Sequence, residues 1–275
     1  RDLHLSLRRQ RQMCIRDRLD QRTSVNEPQV DGMTALHWAA YHDDLDLVQK
    51  LINAGAEVNA ENRYGIPPLS LAATNANSYI VKALVDAGAD ASKSLAGGET
   101  MLMIAARTGS LLAVDLLIDA GADVNALDDK EQTALMWSAA EGHAEIVRSL
   151  IDSGADIHHT LGSGFTPLLF AVREGNIDVA LNLIEAGVDV NALLTRQRER
   201  TMRAGNNASE QPINQGLSPL LLAIRNGHFE LAIELIKVGA DPNDMRSGFT
   251  PLHTMSWVRK PDSSDRGDPA PVLSL

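Results

Sequence analysis

The sequence predicts an all-α solenoid of stacked helix-turn-helix units, and three observations carry that prediction. Gly55, Gly88, Gly121, Gly154 and Gly187 stand 33 residues apart, and Gly239 follows after one longer gap of 52. A fixed period of this length marks a stacked-repeat architecture, in which each unit buries its apolar face against its neighbours. Ahead of the glycines an apolar quartet recurs at helical spacing, as in Leu47, Val48, Leu51 and Ile52. A Thr or Ser opens most units, at Thr34, Thr100, Thr133, Thr166, Ser218 and Thr250, with Pro67 in the same frame.

Each unit then unfolds in a set order. Leu follows the opening residue by two positions, and small pairs come next, such as Ala39-Ala40, Ala72-Ala73 and Ala105-Ala106. The quartet returns as Ile80, Val81, Leu84, Val85 and as Ile146, Val147, Leu150, Ile151, which makes one face of a second helix apolar. The glycine comes after that helix, where a left-handed C-cap costs least without a β-carbon. Ala122 to Asn125 typify the extended turn that follows.

These residues resemble the ankyrin repeat over about residues 24 to 260. Thr-Ala-Leu-His at Thr34 to His37, Thr-Pro-Leu-His at Thr250 to His253, and Gly-Ala-Asp-Val-Asn-Ala at Gly121 to Ala126 carry the likeness. The resemblance implies an ankyrin-repeat solenoid with β-hairpin-like tips, curved so that the first helices and tips line a concave, partner-gripping surface. Ser70, Met103, Met136, Leu169 and Leu221 stand where the motif has His. Apolar packing is expected there in place of the family's Thr-to-His hydrogen bonds between units.

The segments divide accordingly. Residues 1–18 read as the in-frame translation of a transposase-type library adapter, and Leu273-Ser274-Leu275 match the complement of its inner end, so both are set apart from fold reasoning. Residues 19–33 read as the tail of a truncated repeat, because Asn26 lies 33 before Asn59. Residues 34–247 hold six repeats. Residues 248–275 start a seventh, then run into Pro261, Pro269 and Pro271 where its second helix should be. Frayed ends and an ordered middle are expected.

The whole chain carries 25 basic and 36 acidic residues, a net charge of −11. Without the six Arg and two Asp of residues 1–18, 19 basic and 34 acidic residues remain, a net charge of −15. Such a surface repels nucleic acid and anionic membrane and steers basic partners. The sole cysteine, Cys14, lies in the adapter-like segment, so no disulfide is argued. No run approaches the ~18 apolar residues of a membrane span.

One insertion interrupts the period, at about 194–212, with Arg196, Arg198, Arg200 and Arg203. It reads as a tolerated spacer at a hairpin tip or as a finger that touches a partner. Catalytic patterns are absent from the sequence. His158 and His159 beside Asp156 have no third ligand at matching spacing and read as a satisfied hairpin. His143 and His228 follow glycines as structural hydrogen-bonding residues, and the pairs Asp43-Asp44 and Asp128-Asp129 are solvated turn carboxylates. No phosphate loop or nucleophile elbow occurs. No cofactor and no metal are expected.

Candidate partner-binding residues follow from position. The seventh and eighth residues after each opener vary freely: Tyr41-His42, Thr74-Asn75, Arg107-Thr108, Ala140-Glu141, Arg173-Glu174 and Arg225-Asn226. The tips add Arg63, Tyr64, Ile66, Phe165 and Phe249. Tyr and Arg are the side chains most often found at binding hot spots. Trp38 and Trp137, at a usual Leu site, are expected in the inter-repeat core. Two functions remain open at this point. One is a non-catalytic, single-copy scaffold that binds another, basic protein; the other is the regulatory or targeting segment of a longer enzyme or secreted effector.

Overall fold

The computed structural model describes residues 25–194, 216–246, 248 and 250–258, with the backbone alone for 256–258. The adapter-like segments, residues 19–24, the insertion, Phe249 and the Pro-rich tail lie outside the described residues. Among the described residues thirteen helices follow one another with no strand. The first helices of the units are α1 (Ala35–Tyr41), α3 (Pro68–Thr74), α5 (Met101–Thr108), α7 (Ala134–Glu141), α9 (Pro167–Glu174), α11 (Pro219–Arg225) and α13 (Pro251–Val258). The second helices are α2 (Leu45–Asn53), α4 (Ser78–Asp86), α6 (Leu111–Asp119), α8 (Ala144–Asp152), α10 (Ile177–Glu185) and α12 (Phe229–Lys237).

Two parallel rows result. Each first helix packs on the first helix of the next unit, each second helix on the next second helix, and the two of a unit on each other. Between the rows lies one continuous core that includes Leu36, Leu47, Leu69, Ile80, Met103, Leu117, Leu135, Leu150, Leu169, Leu183, Leu221 and Leu235. The three leading members of each quartet are buried, as in Leu47, Val48 and Leu51.

Local chemistry explains where helices begin and end. The hydroxyls of Thr34, Thr100, Thr133, Thr166, Ser218 and Thr250 each accept the N–H three residues on, an N-cap that a side chain of this type supplies. Pro67 offers no such acceptor. The six periodic glycines sit at positive φ, from +85° at Gly55 to +107° at Gly187. Behind each, the same pair of bonds closes the helix: the Gly55 N–H to Ile52 O and the Ala56 N–H to Leu51 O, repeated through to Gly239 and Ala240. That pairing requires a left-handed residue, which makes glycine the natural choice there.

The extended turns end in hairpin-like tips held by two backbone bonds. At the tip after α4, Leu95 donates to Glu99 O and Gly98 to Leu95 O, and the same pair recurs at 29–33, 62–66, 128–132 and 161–165. The insertion enters and leaves at one such tip, where the Leu194 N–H meets Leu217 O at 2.9 Å.

A ladder of asparagines joins these turns. Asn26, Asn59, Asn125 and Asn191 each donate to the glycine carbonyl of the next unit, at 2.9 to 3.2 Å. Each also accepts the N–H two residues beyond that glycine, at 2.7 to 2.9 Å. Ser92 and His158 occupy the missing rungs, and among the described residues no such bond forms there.

Candidate protein-binding face

The seventh residue after the opener lies on the outer side of the first helix in most units, while Ala140 packs against the core. Tyr41 is 52% exposed, and Arg173 and Arg225 are exposed, whereas Arg107 is half-buried. Two of these arginines are held by rings. The Arg107 guanidinium sits 5.1 Å from the Trp137 ring centre, and that of Arg173 sits 4.9 Å from Phe170 and 5.5 Å from Phe165. Arg107 also donates to Glu99 and Arg173 to Glu174, both at 2.6 Å. At the tip after α2, Arg63 lies 5.2 Å from the Tyr64 ring centre and donates to its hydroxyl. Cation–π contacts of this kind restrain a guanidinium without neutralising it.

The eighth position divides in two. Glu141 and Glu174 are exposed. Thr108, however, donates to Ala73 O at 3.1 Å, Asn226 to Arg173 O at 3.1 Å, and Asn75 to Ala40 O and Tyr41 O. Thr108 and Asn226 therefore staple neighbouring repeats in addition to lying on the face. A short polar side chain varies in identity and still reaches a backbone carbonyl, so variability alone did not separate the two roles. Ile66 is half-buried, and its carbonyl takes the His37 Nε2–H at 2.9 Å.

The two tryptophans differ. Trp137 borders the core beneath Arg107. Trp38 is a correction to the expected core placement: it is half-buried and gathers with face residues, edge-on to Tyr41 at 6.0 Å and stacked on His42 at 5.7 Å. Its spacings of three and four from those two residues bring all three onto one side of α1.

Four histidine rings make structural hydrogen bonds to backbone carbonyls. His143 Nε2 donates to Arg107 O and His228 Nε2 to Arg173 O, both across a repeat boundary. His159 Nε2 donates to Glu131 O at 2.8 Å, which occupies that ring in the hairpin. Among the described residues no group of three or more His, Cys, Asp or Glu is placed to hold a metal ion. His37 is fully buried, accepts the Thr34 N–H at Nδ1, and has its pKa lowered from 6.5 by that burial, against smaller upward pulls from the Ile66 carbonyl and Asp31.

Charge is unevenly distributed. Glu57, Asp90, Asp123, Asp156, Asp189 and Asp241 recur, all exposed, two residues after the periodic glycines. That acidic edge runs along the turns and not along the first helices. Hydrogen bonds from Ser92, its hydroxyl first, hold the Asp90 carboxyl below the ordinary range, and Arg246 does the same for Asp244. Among the described residues no helix is long and apolar enough to cross a membrane.

The ankyrin repeats family model, built of three copies, matches residues 3–94, 36–128, 69–160 and 102–193, and the single ankyrin repeat model matches 215–246. The first match begins inside the adapter-like segment, which lies outside the described residues. No curated protein matches the chain. With two rows of capped helices, glycine-closed turns and hairpin tips matched by these models over most of its length, the chain belongs to the ankyrin-repeat family.

Proposed function

We propose that the array is a non-catalytic scaffold that holds another protein across the first-helix face and the hairpin tips. Ankyrin repeats are in general protein-interaction modules, and one observation carries the reading to this face. Large or charged side chains, Tyr41, Arg107, Arg173 and Arg225, stand at one register position on the first helices of units one, three, five and six, outside the core. Arg and Tyr anchors that are restrained before binding lose little entropy when a partner arrives. The net charge of −11 disfavours a nucleic acid in that place.

The test is crosslinking of the purified chain to a captured partner, with Tyr41→Ala, Arg107→Ala and Arg173→Ala alongside. Crosslinks should fall on first helices and tips, and at least one substitution should weaken capture about tenfold or more. Crosslinks confined to α2, α4, α6, α8, α10 and α12, with capture unchanged in all three variants, would refute the face.

A further inference from the structure

We infer that the segment held on this face is an acidic, extended stretch of protein whose carboxylates meet Arg107, Arg173 and Arg225. The inference rests on the first-helix face being the binding surface, and it reverses the partner charge that the net charge of the chain suggests. The periodic carboxylates at Asp90, Asp123, Asp156 and Asp189 belong to the turns, whereas cations occupy the seventh register position in units three, five and six.

Each of these arginines has capacity to spare. A guanidinium presents five N–H donors in a planar fork that fits a carboxylate. Arg107 commits one to Glu99 and Arg173 one to Glu174, and both pairs are partly exposed, hence readily exchanged. Arg225 is exposed with no carboxylate within ion-pair reach among the described residues. Trp137 and the pair Phe165 and Phe170 hold two of the forks in position.

The row also dictates a spacing. Adjacent packed helices lie roughly 10 Å apart, and an extended chain covers about 3.3 Å per residue, so one repeat corresponds to about three partner residues. Arg107 and Arg173 are two repeats apart, Arg173 and Arg225 one. Between them unit four presents Ala140 and an exposed Glu141, which repels a carboxylate at that rung. The matching pattern is acid, a non-acidic residue near the third following position, acid about six residues on, and acid about three further.

The experiment is selection of a random 12-residue peptide library on the full chain, followed by fluorescence anisotropy of selected peptides. A triple variant, Arg107→Gln, Arg173→Gln and Arg225→Gln, serves as counterpart, its fold checked by circular dichroism. Selected peptides should be rich in Asp and Glu at the stated spacing, and should lose at least tenfold affinity on the triple variant. No binders, Lys- and Arg-rich binders, or binders indifferent to the triple variant would overturn the inference. Should such binders still weaken with Tyr41→Ala or Glu141→Gln, the face survives and only its acidic partner falls; indifference to every first-helix substitution removes both.

Discussion

At the scale of single residues, His37 shows how one buried ring ties a helix start to the following tip. Its Nε2–H is given to Ile66 O, so the neutral ring must accept at Nδ1, where the Thr34 N–H points. A second proton at Nδ1 would face the Thr34 N–H, with the Thr34 hydroxyl, which already accepts the His37 N–H, as its one acceptor. That cost acts in the same direction as the burial that lowers the pKa. The folded ring thus stays neutral where the unfolded ring, near 6.5, takes a proton. The stability this provides is present above about pH 6.5 and is lost as pH falls below it, by up to about 1.4 kcal/mol per pH unit. His37→Met copies the residue found at 103 and 136 and removes that dependence. Urea midpoints at pH 7.5 and 5.0 should therefore fall further for the parent chain than for the variant, although the variant is weaker at pH 7.5. Parallel losses in the two proteins would show that another group governs the acid limb.

At the scale of elements, the repeat boundary is set by paired positions 34 residues apart, or 53 apart where the insertion intervenes. A β-carbon on Gly109 would come within 2.7 Å of the His143 ring, one on Gly142 within 2.8 Å of the Asn176 amide, and one on Gly175 within 2.6 Å of the His228 ring. In the same frame Ala76, at φ +54°, precedes a unit that carries Ser110, whose side chain makes no cap bond and, among the described residues, reaches back to no carbonyl. Small faces small there, whereas the one other non-glycine of this frame, Asp43, accepts a hydrogen bond from its larger partner Asn77 at its own carboxylate, which an alanine does not offer. Ser110→His should consequently destabilise on its own, whereas in an Ala76→Gly background it can bond the Thr74 carbonyl. Relief of the left-handed alanine and the new bond are each worth about 1 kcal/mol. A thermal double-mutant cycle should give a coupling of about 1 kcal/mol or more, and simple additivity would count against the pairing. Openers, quartets and closing glycines were legible in the sequence because they answer to local backbone demands. The asparagine ladder and the arginines stacked on rings were not, because those partners are brought together only by stacking. Comparing Asn26, Asn59, Asn125 and Asn191 at the 33-residue period would have exposed the ladder, though not what it bonds.

At the scale of the whole molecule, repeat arrays behave as chains of nearest-neighbour couplings, and the couplings here are unequal. Between units one and two, Asn75 and Asn77 reach residues 40 to 43, Asn59 clamps the next turn, and Lys93 pairs with Glu61. Units three and four share the His143, Ser149, Asn125 and His159 bonds. Between units two and three, the described residues supply fewer: the Thr108 hydroxyl to Ala73 O, the Asp129 N–H to Gly97 O and the partly exposed Arg107–Glu99 ion pair. Apolar packing continues across that boundary through Leu69, Met101, Met103 and Leu102, so it holds in the native state but has little directional bonding. The array should accordingly open there as a unit, releasing α1 to α4 from α5 onward at a free energy below that of global unfolding. In native-state hydrogen exchange, amides of α1 to α4 should share one opening energy and those of α5 to α10 a higher one. A solenoid that merely frays from its end would instead show a step after α2. Ser92→Asn restores the missing rung to Gly121 and should raise the first group toward the second by about 1 kcal/mol, while leaving α7 to α10 unchanged. Uniform protection from α1 to α10, or a Ser92→Asn effect spread evenly over the chain, would mean that apolar packing alone sets the coupling and that the two serines at 92 and 110 weaken nothing.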